Sequence, residues 1–333
     1  MNINERKIKI FYMTNHMLFL DNLLSPSILF FLVGILTGLL KVDLEIPKSI
    51  SKFLAIYLMI SIGFKGGVSI NALETINFKV FYSCMVAMLV SFTLPFLAYR
   101  LLEKNKNLDK YTAAAIAANS GSISIVTFVA ATSILGQYNI SYEGYIVTIV
   151  ALMEFPAIIS GFLLANKNKE INSKQISFKH ILSNHTIFLL LSSFLIGCIT
   201  GTKGLSKIEG FISAPFQGLL SIFLLDMGII ISKELEELKK INIKLIVFGI
   251  YMPLIGATIG LLLSKLLNFD FGTTILFTTL CASSSYIAVP AAMKSCVPQA
   301  KASIYMPMSL AITFPFNIIL GIPIYVMIAK FMN

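Results

Sequence analysis

Ten long apolar segments constrain this chain of 333 residues more than any other feature. A helix needs roughly 20 predominantly apolar residues to cross a bilayer. A polar loop at 167–184 divides the segments into two groups of five. The pattern predicts an all-helical polytopic membrane protein. The segments lie at about 23–40, 49–64, 76–102, 111–135, 144–165, 185–201, 212–231, 243–267, 271–293 and 303–330.

The charge content agrees with a membrane protein and argues against a nucleic-acid-binding protein. Only 13% of the residues are charged, whereas about 25% is usual for soluble domains. The formal net charge is +10, but the basic residues lie in short loops between apolar segments. Most of the 26 lysines and arginines fall in the loops after odd-numbered segments, including the central loop. The positive-inside rule therefore predicts that the central loop lies in the cytoplasm and that both termini lie on the outer side of the cytoplasmic membrane.

The two halves of the chain resemble each other. The third and eighth segments carry Pro95 and Pro253, and each is followed by a segment with small polar residues at its middle. Because five is an odd number, the second group of five helices must cross the membrane upside down relative to the first. Inverted repeats of this kind are the usual plan of secondary transporters. The sequence thus predicts ten transmembrane helices arranged as two inverted five-helix repeats.

Two small polar clusters lie at the middle of the fourth and ninth segments. Serine competes for backbone hydrogen bonds and glycine costs entropy, so both helices are predicted to break there. A broken helix offers free N–H groups to an anion and free carbonyls to a cation. The alternative is that small residues allow close helix packing. The candidate substrate-binding residues are Ser120, Gly121, Ser122, Ser283, Ser284 and Ser285.

Three charged residues inside apolar segments are further candidates. Glu154 lies in the fifth segment, where a carboxylate marks an ion or proton path or pairs structurally with a polar neighbour. Asp226, in the seventh segment, either faces a water-filled cavity or caps or pairs between domains. Lys65, at the end of the second segment, either snorkels to the interface or attracts an anion.

No motif in the sequence indicates an enzyme or a resident metal site. The chain has no HExxH, no Walker A loop and no GxGxxG, and its histidines lie outside the apolar cores or at their edges. The four cysteines form no CxxC pair, so packing is their expected role. The sequence therefore predicts a transporter without catalytic residues. A channel or a membrane-embedded enzyme that uses the serines is the alternative from another class.

Several short motifs, taken in order along the chain, resemble the sodium-dependent bicarbonate transporter family, the SbtA-like permeases. The resemblance runs from about residue 23 to 328. The motifs that carry it are Leu24-Ser25-Pro26-Ser27, Gly63–Gly67, Ser120-Gly121-Ser122, Ile140-Ser141-Tyr142-Glu143, Glu154-Phe155-Pro156-Ala157 and Ala282-Ser283-Ser284-Ser285.

The resemblance implies a domain plan and an assembly. Helices 1, 2, 6 and 7 would form a scaffold or gate, and helices 3–5 and 8–10 a transport core in which broken helices 4 and 9 cross. The protein would be a homotrimer, and a PII-like cytoplasmic protein that regulates cyanobacterial members would be a possible partner. The corresponding ranges are an N-terminal segment at 1–22, scaffold at 23–73, core at 74–166, a cytoplasmic loop at 167–184, scaffold at 185–232 and core at 233–333.

The resemblance also implies roles for site residues. Bicarbonate would lie between the two serine clusters, and Na⁺ as coupling ion would lie against Asn119, Glu154 and carbonyls freed by the helix breaks. Glu154 and Tyr286 stand where cyanobacterial members have aspartate, which makes Tyr286 a third candidate for ion binding. The expected function is sodium-coupled symport of a small anion, with bicarbonate as the leading substrate. The alternative is a proton- or sodium-coupled carrier of another small carboxylate.

Overall fold

The computed structural model describes residues 24–72, 78–104, 108–166, 185–238 and 241–332. All regular secondary structure within these ranges is helical. The predicted N-terminal segment at 1–22 and the predicted cytoplasmic loop at 167–184 lie outside the described residues. The helices are α1 (Pro26–Leu39), α2 (Lys48–Asn71), α3 (Phe78–Leu102), α4 (Lys110–Gly121), α5 (Ile125–Gln137), α6 (Ile146–Ala165), α7 (His185–Ile212), α8 (Phe216–Leu238), α9 (Ile243–Leu266), α10 (Phe271–Ala282), α11 (Ala288–Cys296) and α12 (Ala302–Met332).

Seven helical stretches in the described part of the chain are long and apolar enough to cross a membrane. They are α2, α3, α4 with α5, α6, the Phe216–Lys233 part of α8, α9, and α12. Two further apolar helices, α1 and α10, are shorter, with 14 and 12 residues. The predicted class, an all-helical multi-pass membrane protein, is therefore confirmed at the level of these spans.

The fourth and ninth predicted segments are interrupted at their serine clusters. Between α4 and α5 lies the first break, 122–124, and between α10 and α11 lies the second break, 283–287. Both breaks begin with a serine in extended conformation: Ser122 has φ −101° and ψ 170°, and Ser283 has φ −81° and ψ 171°. An extended residue cannot continue an α-helix, so the free ends of four short helices lie at these two positions.

Two other segments differ in detail from the sequence expectation. The predicted sixth segment ends at residue 201, but α7 continues to Ile212 across a kink at Gly201, whose φ is 57°. Glycine tolerates this left-handed region because it has no Cβ. The tenth segment, α12, contains two π-helical turns, Met308–Thr313 and Asn317–Gly321. Such turns are frequent at functional sites.

Glycines bring two pairs of helices into backbone contact. Where α1 crosses α8, a Cβ on Gly34 would overlap the Leu225 carbonyl, and one on Gly228 would overlap the Phe31 carbonyl. Where α2 crosses α7, a Cβ on Gly67 or Gly197 would overlap a carbonyl of the other helix in the same way. Small residues permit this close approach between membrane helices. We call α1, α2, α7 and α8 the paired-glycine bundle.

The remaining helices, α3–α6 and α9–α12, form what we call the broken-helix unit, and its two halves use the same contacts. Asp109 caps α4 and bonds Thr112, whose hydroxyl accepts the backbone N–H of Lys301 just before α12 at 2.9 Å. Asp270 caps α10 and bonds Thr273, and the hydroxyl of Thr273 accepts the backbone N–H of Glu143 just before α6 at 2.9 Å. Each short helix is thereby fixed to the start of a helix from the other half.

Candidate functional site

Hydrogen bonds join the two helix breaks. The N–H of Ser285, in the second break, donates to the carbonyl of Asn119 at 3.0 Å. The N–H of Ser124, in the first break, donates to the hydroxyl of Ser283 at 3.0 Å. All four residues are buried. The breaks therefore form a single polar region inside the broken-helix unit.

The amide of Asn119 is oriented by two partners on α12. Its Nδ2 donates to the Tyr305 carbonyl at 3.3 Å and to the Ser309 hydroxyl at 3.1 Å. The side-chain oxygen Oδ1 is then directed elsewhere, and within the described part of the chain it is buried without a hydrogen-bond partner. The hydroxyl of Ser122, also buried, is likewise without one among the described residues. Buried polar atoms in native proteins are normally satisfied, so these two oxygens, which lie at the breaks, are available to a ligand.

Residues of α12 complete the polar region, and they were not identified from the sequence. Ser309 also bonds Ser284, hydroxyl to hydroxyl, at 2.9 Å. Asn317 donates to the carbonyl of Ala282, the last residue of α10, at 2.9 Å, and accepts from the Tyr325 hydroxyl at 2.7 Å. Ser309 and Asn317 lie in the two π-helical turns. The signal that could have revealed them is polar residues four apart in an otherwise apolar segment: Ser309, Thr313 and Asn317.

Other predicted substrate residues are partly engaged within their own helices. Ser120 donates its hydroxyl to the Ile116 carbonyl at 2.9 Å. The hydroxyl of Ser285 accepts the N–H of Val289, at the start of α11, at 3.3 Å. Gly121 has a packing role, because a Cβ there would overlap the ring of Pro95. A hydroxyl that donates to a helix carbonyl keeps its oxygen lone pairs, so Ser120 can still accept a hydrogen bond.

Glu154 lies on the face of α6 that meets the broken helices. Its side chain is buried, and it forms no hydrogen bond or ion pair with another described residue. Gly161, one heptad further along the same face, is in such close contact with α4 and α11 that a Cβ would crowd Ala118 and Met293. Glu154 is therefore about 10 Å along α6 from that contact, given 1.5 Å per residue.

Tyr286 connects the second break to the paired-glycine bundle. Its hydroxyl is 3.8 Å from the sulfur of Met227 on α8. Its ring meets Phe314 of α12 edge to face, with centroids 5.5 Å apart. Of the three predicted ion ligands, Asn119 offers an oxygen in the polar region without a partner among the described residues, Tyr286 borders that region, and Glu154 lies on the α6 face that meets the broken helices.

The helix ends give this region two kinds of electrostatic character. The C-terminal ends of α4 and α10 present carbonyl groups and favour cations. The N-terminal ends of α5 and α11 present N–H groups and favour anions. Both kinds of helix end meet at the breaks. A cation and an anion can therefore bind side by side there without a positively and a negatively charged side chain to balance them.

The sequence matches the model of one protein family over residues 26–330, nearly its whole length. That model describes the Na⁺-dependent bicarbonate transporter superfamily. The chain belongs to this superfamily. No curated protein matches it at a significant level. The resemblance noted from the short motifs is thereby confirmed, and the protein is a multi-pass membrane protein of a transporter family.

Sodium suits the donor set found at the breaks in this superfamily member. Hard cations prefer oxygen ligands such as carboxylates, amide and backbone carbonyls, and hydroxyls. The unpartnered oxygens of Asn119 and Ser122 are ligands of this kind, and both are buried beside the carbonyl end of α4. Three or more grouped histidine, cysteine or acidic residues, as a transition metal would need, do not occur within the described ranges.

Proposed function

We propose that this superfamily member is a symporter that couples Na⁺ to the transport of a small anion, and that the anion is bicarbonate. The observation that carries the proposal is the pair of hydrogen-bonded breaks with two buried oxygens, those of Asn119 and Ser122, that have no partner among the described residues. Sodium bound there offsets the charge of the anion in a medium of low dielectric constant. Each ion then binds better when the other is present.

The anion is proposed to bind between the hydroxyl-rich breaks, at the N-terminal ends of α5 and α11. Ser122, Ser284 and Ser309 supply hydroxyl donors there, and Ser120, Gly121, Ser283 and Ser285 shape the two breaks. Bicarbonate has three oxygens and one proton, so it can accept several hydrogen bonds and donate one. Glu154 and Tyr286 are proposed to adjust the affinity of the site for the cation, with Glu154 as a candidate ligand.

The ten-span inverted repeat and its mode of action belong to the same proposal. Support comes from the equivalent caps of α4 and α10 by Asp109 and Asp270, and from the equivalent glycine crossings. Alternating access would move the broken-helix unit against the paired-glycine bundle. The cytoplasmic central loop, the outside termini, the homotrimer and the PII-like regulator remain predictions.

The decisive test is uptake of labelled bicarbonate into liposomes that contain the purified protein, with and without an inward Na⁺ gradient. We expect accumulation only with the gradient. Uptake that follows a pH gradient and ignores Na⁺ would instead support proton coupling, with Glu154 as the proton carrier. Electrical currents far above transporter turnover would indicate a channel. Absence of bicarbonate uptake in folded protein would contradict bicarbonate as the substrate.

Removing single hydroxyls tests the site. We expect Ser122→Ala and Ser284→Ala each to raise the half-saturating bicarbonate concentration about tenfold, because a hydrogen bond to a charged group contributes roughly 1.5 kcal/mol. Ser264→Ala is the matched control, since Ser264 is also a buried serine whose hydroxyl lacks a partner among the described residues but lies near the end of α9. Unchanged uptake kinetics in both site variants would refute this assignment.

A further inference from the structure

Two opposite charges occupy equivalent positions in the paired-glycine bundle. Lys65 lies two residues before Gly67, the glycine of the crossing between α2 and α7, and Asp226 lies two residues before Gly228, the glycine of the crossing between α1 and α8. The partner glycines, Gly34 and Gly197, each begin a G-x-x-T-G sequence on α1 and α7. The two crossings are therefore versions of one arrangement, and Lys65 and Asp226 correspond.

The two charges lie at different depths in the bundle. The Lys65 ammonium is 5.0 Å from the ring centroid of Phe216, at the start of α8. Asp226 lies ten residues beyond Phe216 on α8, and Ser51, near the start of α2, acts on its carboxylate. α2 and α8 thus run antiparallel. At 1.5 Å per residue, Phe216 and Asp226 are separated by about 15 Å along α8, which is roughly half the thickness of a bilayer core.

Both charges border the seam between the bundle and the broken-helix unit. Gly66, next to Lys65, lies so close to α6 that a Cβ would crowd Val147. Met227, next to Asp226, contacts the hydroxyl of Tyr286 in the second break. An ion that moves along this seam between the faces of the membrane and the breaks passes the two charges at different depths.

Neither charge is fully neutralised by a neighbour. Lys65 is half-buried and interacts with Glu209, but the two do not form an ion pair within 4.0 Å among the described residues. Asp226 is 3% exposed, and its Oδ2 has no hydrogen-bond partner in the described part of the chain, although Lys233 interacts with it electrostatically. A charge at such depth without an ion pair among the described residues is costly and is therefore a sign of function rather than of stability.

We propose that Lys65 and Asp226 make the seam electrostatically asymmetric: Lys65 draws the anion in from one side, and Asp226 opposes its return from the other. The inference rests on the proposed anion transport. In the predicted orientation Lys65 lies nearer the outside and Asp226 nearer the cytoplasm. Charges beside low-dielectric walls act on passing ions more strongly than the same charges in water.

The test measures initial rates of labelled bicarbonate uptake at fixed Na⁺ in right-side-out and in inside-out membrane vesicles. For Lys65→Met we expect the half-saturating bicarbonate concentration to rise about three- to tenfold from the Lys65 side only, as for one partly screened charge. For Asp226→Asn we expect it to fall about threefold from the opposite side, since an anionic repulsion is removed. Structural damage would not improve affinity.

Controls separate charge from packing. Lys65→Arg keeps the charge and should retain the wild-type value, and so should Phe216→Leu, which removes the ring beneath the ammonium. Lys203→Met removes an exposed lysine of α7 and should leave both sides unchanged. Raising ionic strength with a choline salt should shrink the Lys65→Met effect, because screening weakens the attraction.

The outcomes distinguish this inference from the proposed function. If wild-type protein does not take up bicarbonate, the proposed function itself fails. If wild-type protein transports, but Lys65→Met and Asp226→Asn change half-saturation equally from both sides or not at all, the inferred asymmetry is wrong and both residues are structural.

Discussion

Gly228→Ala should lower the melting temperature of the detergent-solubilised protein by about 5 °C or more, because overpacking of a tight contact costs roughly 1–3 kcal/mol and sometimes more. A Cβ at this position would overlap the Phe31 carbonyl and crowd the backbone of Gly34. Those atoms belong to the main chain of α1 and cannot move aside as a side-chain tip can. The whole helix would have to shift.

Gly218→Ala is the matched control on the same helix. Within the described part of the chain, no heavy atom lies within 4 Å of a Cβ at Gly218, so this variant should be as stable as the wild type or slightly more stable. Alanine also has the higher helix propensity, by about 1 kcal/mol. Equal melting temperatures for the two variants would show that α1 and α8 do not cross as closely as described, and would remove one support for the equivalence of Lys65 and Asp226.

The sequence predicted the helix breaks because their cause is local. Serine and glycine clusters destabilise a helix wherever they occur, and both breaks begin at a serine of such a cluster, Ser122 and Ser283. The individual roles of the clustered residues were not predictable in this way. Ser120 bonds back to its own helix and Gly121 packs on Pro95, and these arrangements depend on neighbours distant in sequence.

The contribution of α12 could not be predicted from the pattern of apolar residues. Ser309 and Asn317 are scattered singly through a long apolar segment, so composition gives them little weight. Their importance comes from two π-helical turns and from contacts with Asn119 and Ala282 in other helices. The sequence also did not predict the glycine crossings. It indicated close packing of small residues only at the breaks, and not at Gly34, Gly67, Gly197 and Gly228.

We expect Asn119→Leu to reduce Na⁺-stimulated bicarbonate uptake to the level of protein-free liposomes. Leucine is close in size to asparagine but lacks the unpartnered Oδ1, and it also leaves Ser309 and the Tyr305 carbonyl without the Asn119 donor. The nearby amide oxygen of Asn317 already accepts from the Tyr325 hydroxyl, so the cation should lose a ligand outright. The effect should be larger than that of any single hydroxyl deletion.

A second readout does not depend on transport. A ligand that binds only the folded state stabilises it by RT ln(1 + [L]/Kd), so Na⁺ should raise the melting temperature of the wild type but not of Asn119→Leu. Asn71→Leu is the control, because Asn71 also donates to a backbone carbonyl, that of Cys198 at 2.8 Å, but lies in the paired-glycine bundle. It should lose some stability and keep its response to Na⁺.

The combination of readouts decides what Asn119 does. Loss of both uptake and Na⁺ stabilisation, with both kept in Asn71→Leu, would identify the free amide oxygen as a cation ligand. Loss of uptake with Na⁺ stabilisation intact would mean that Asn119 only holds α12 against the breaks through Tyr305 and Ser309. The cation would then have to be held by other oxygens, of which the carboxylate of Glu154 and the hydroxyl of Ser122 are the next to replace.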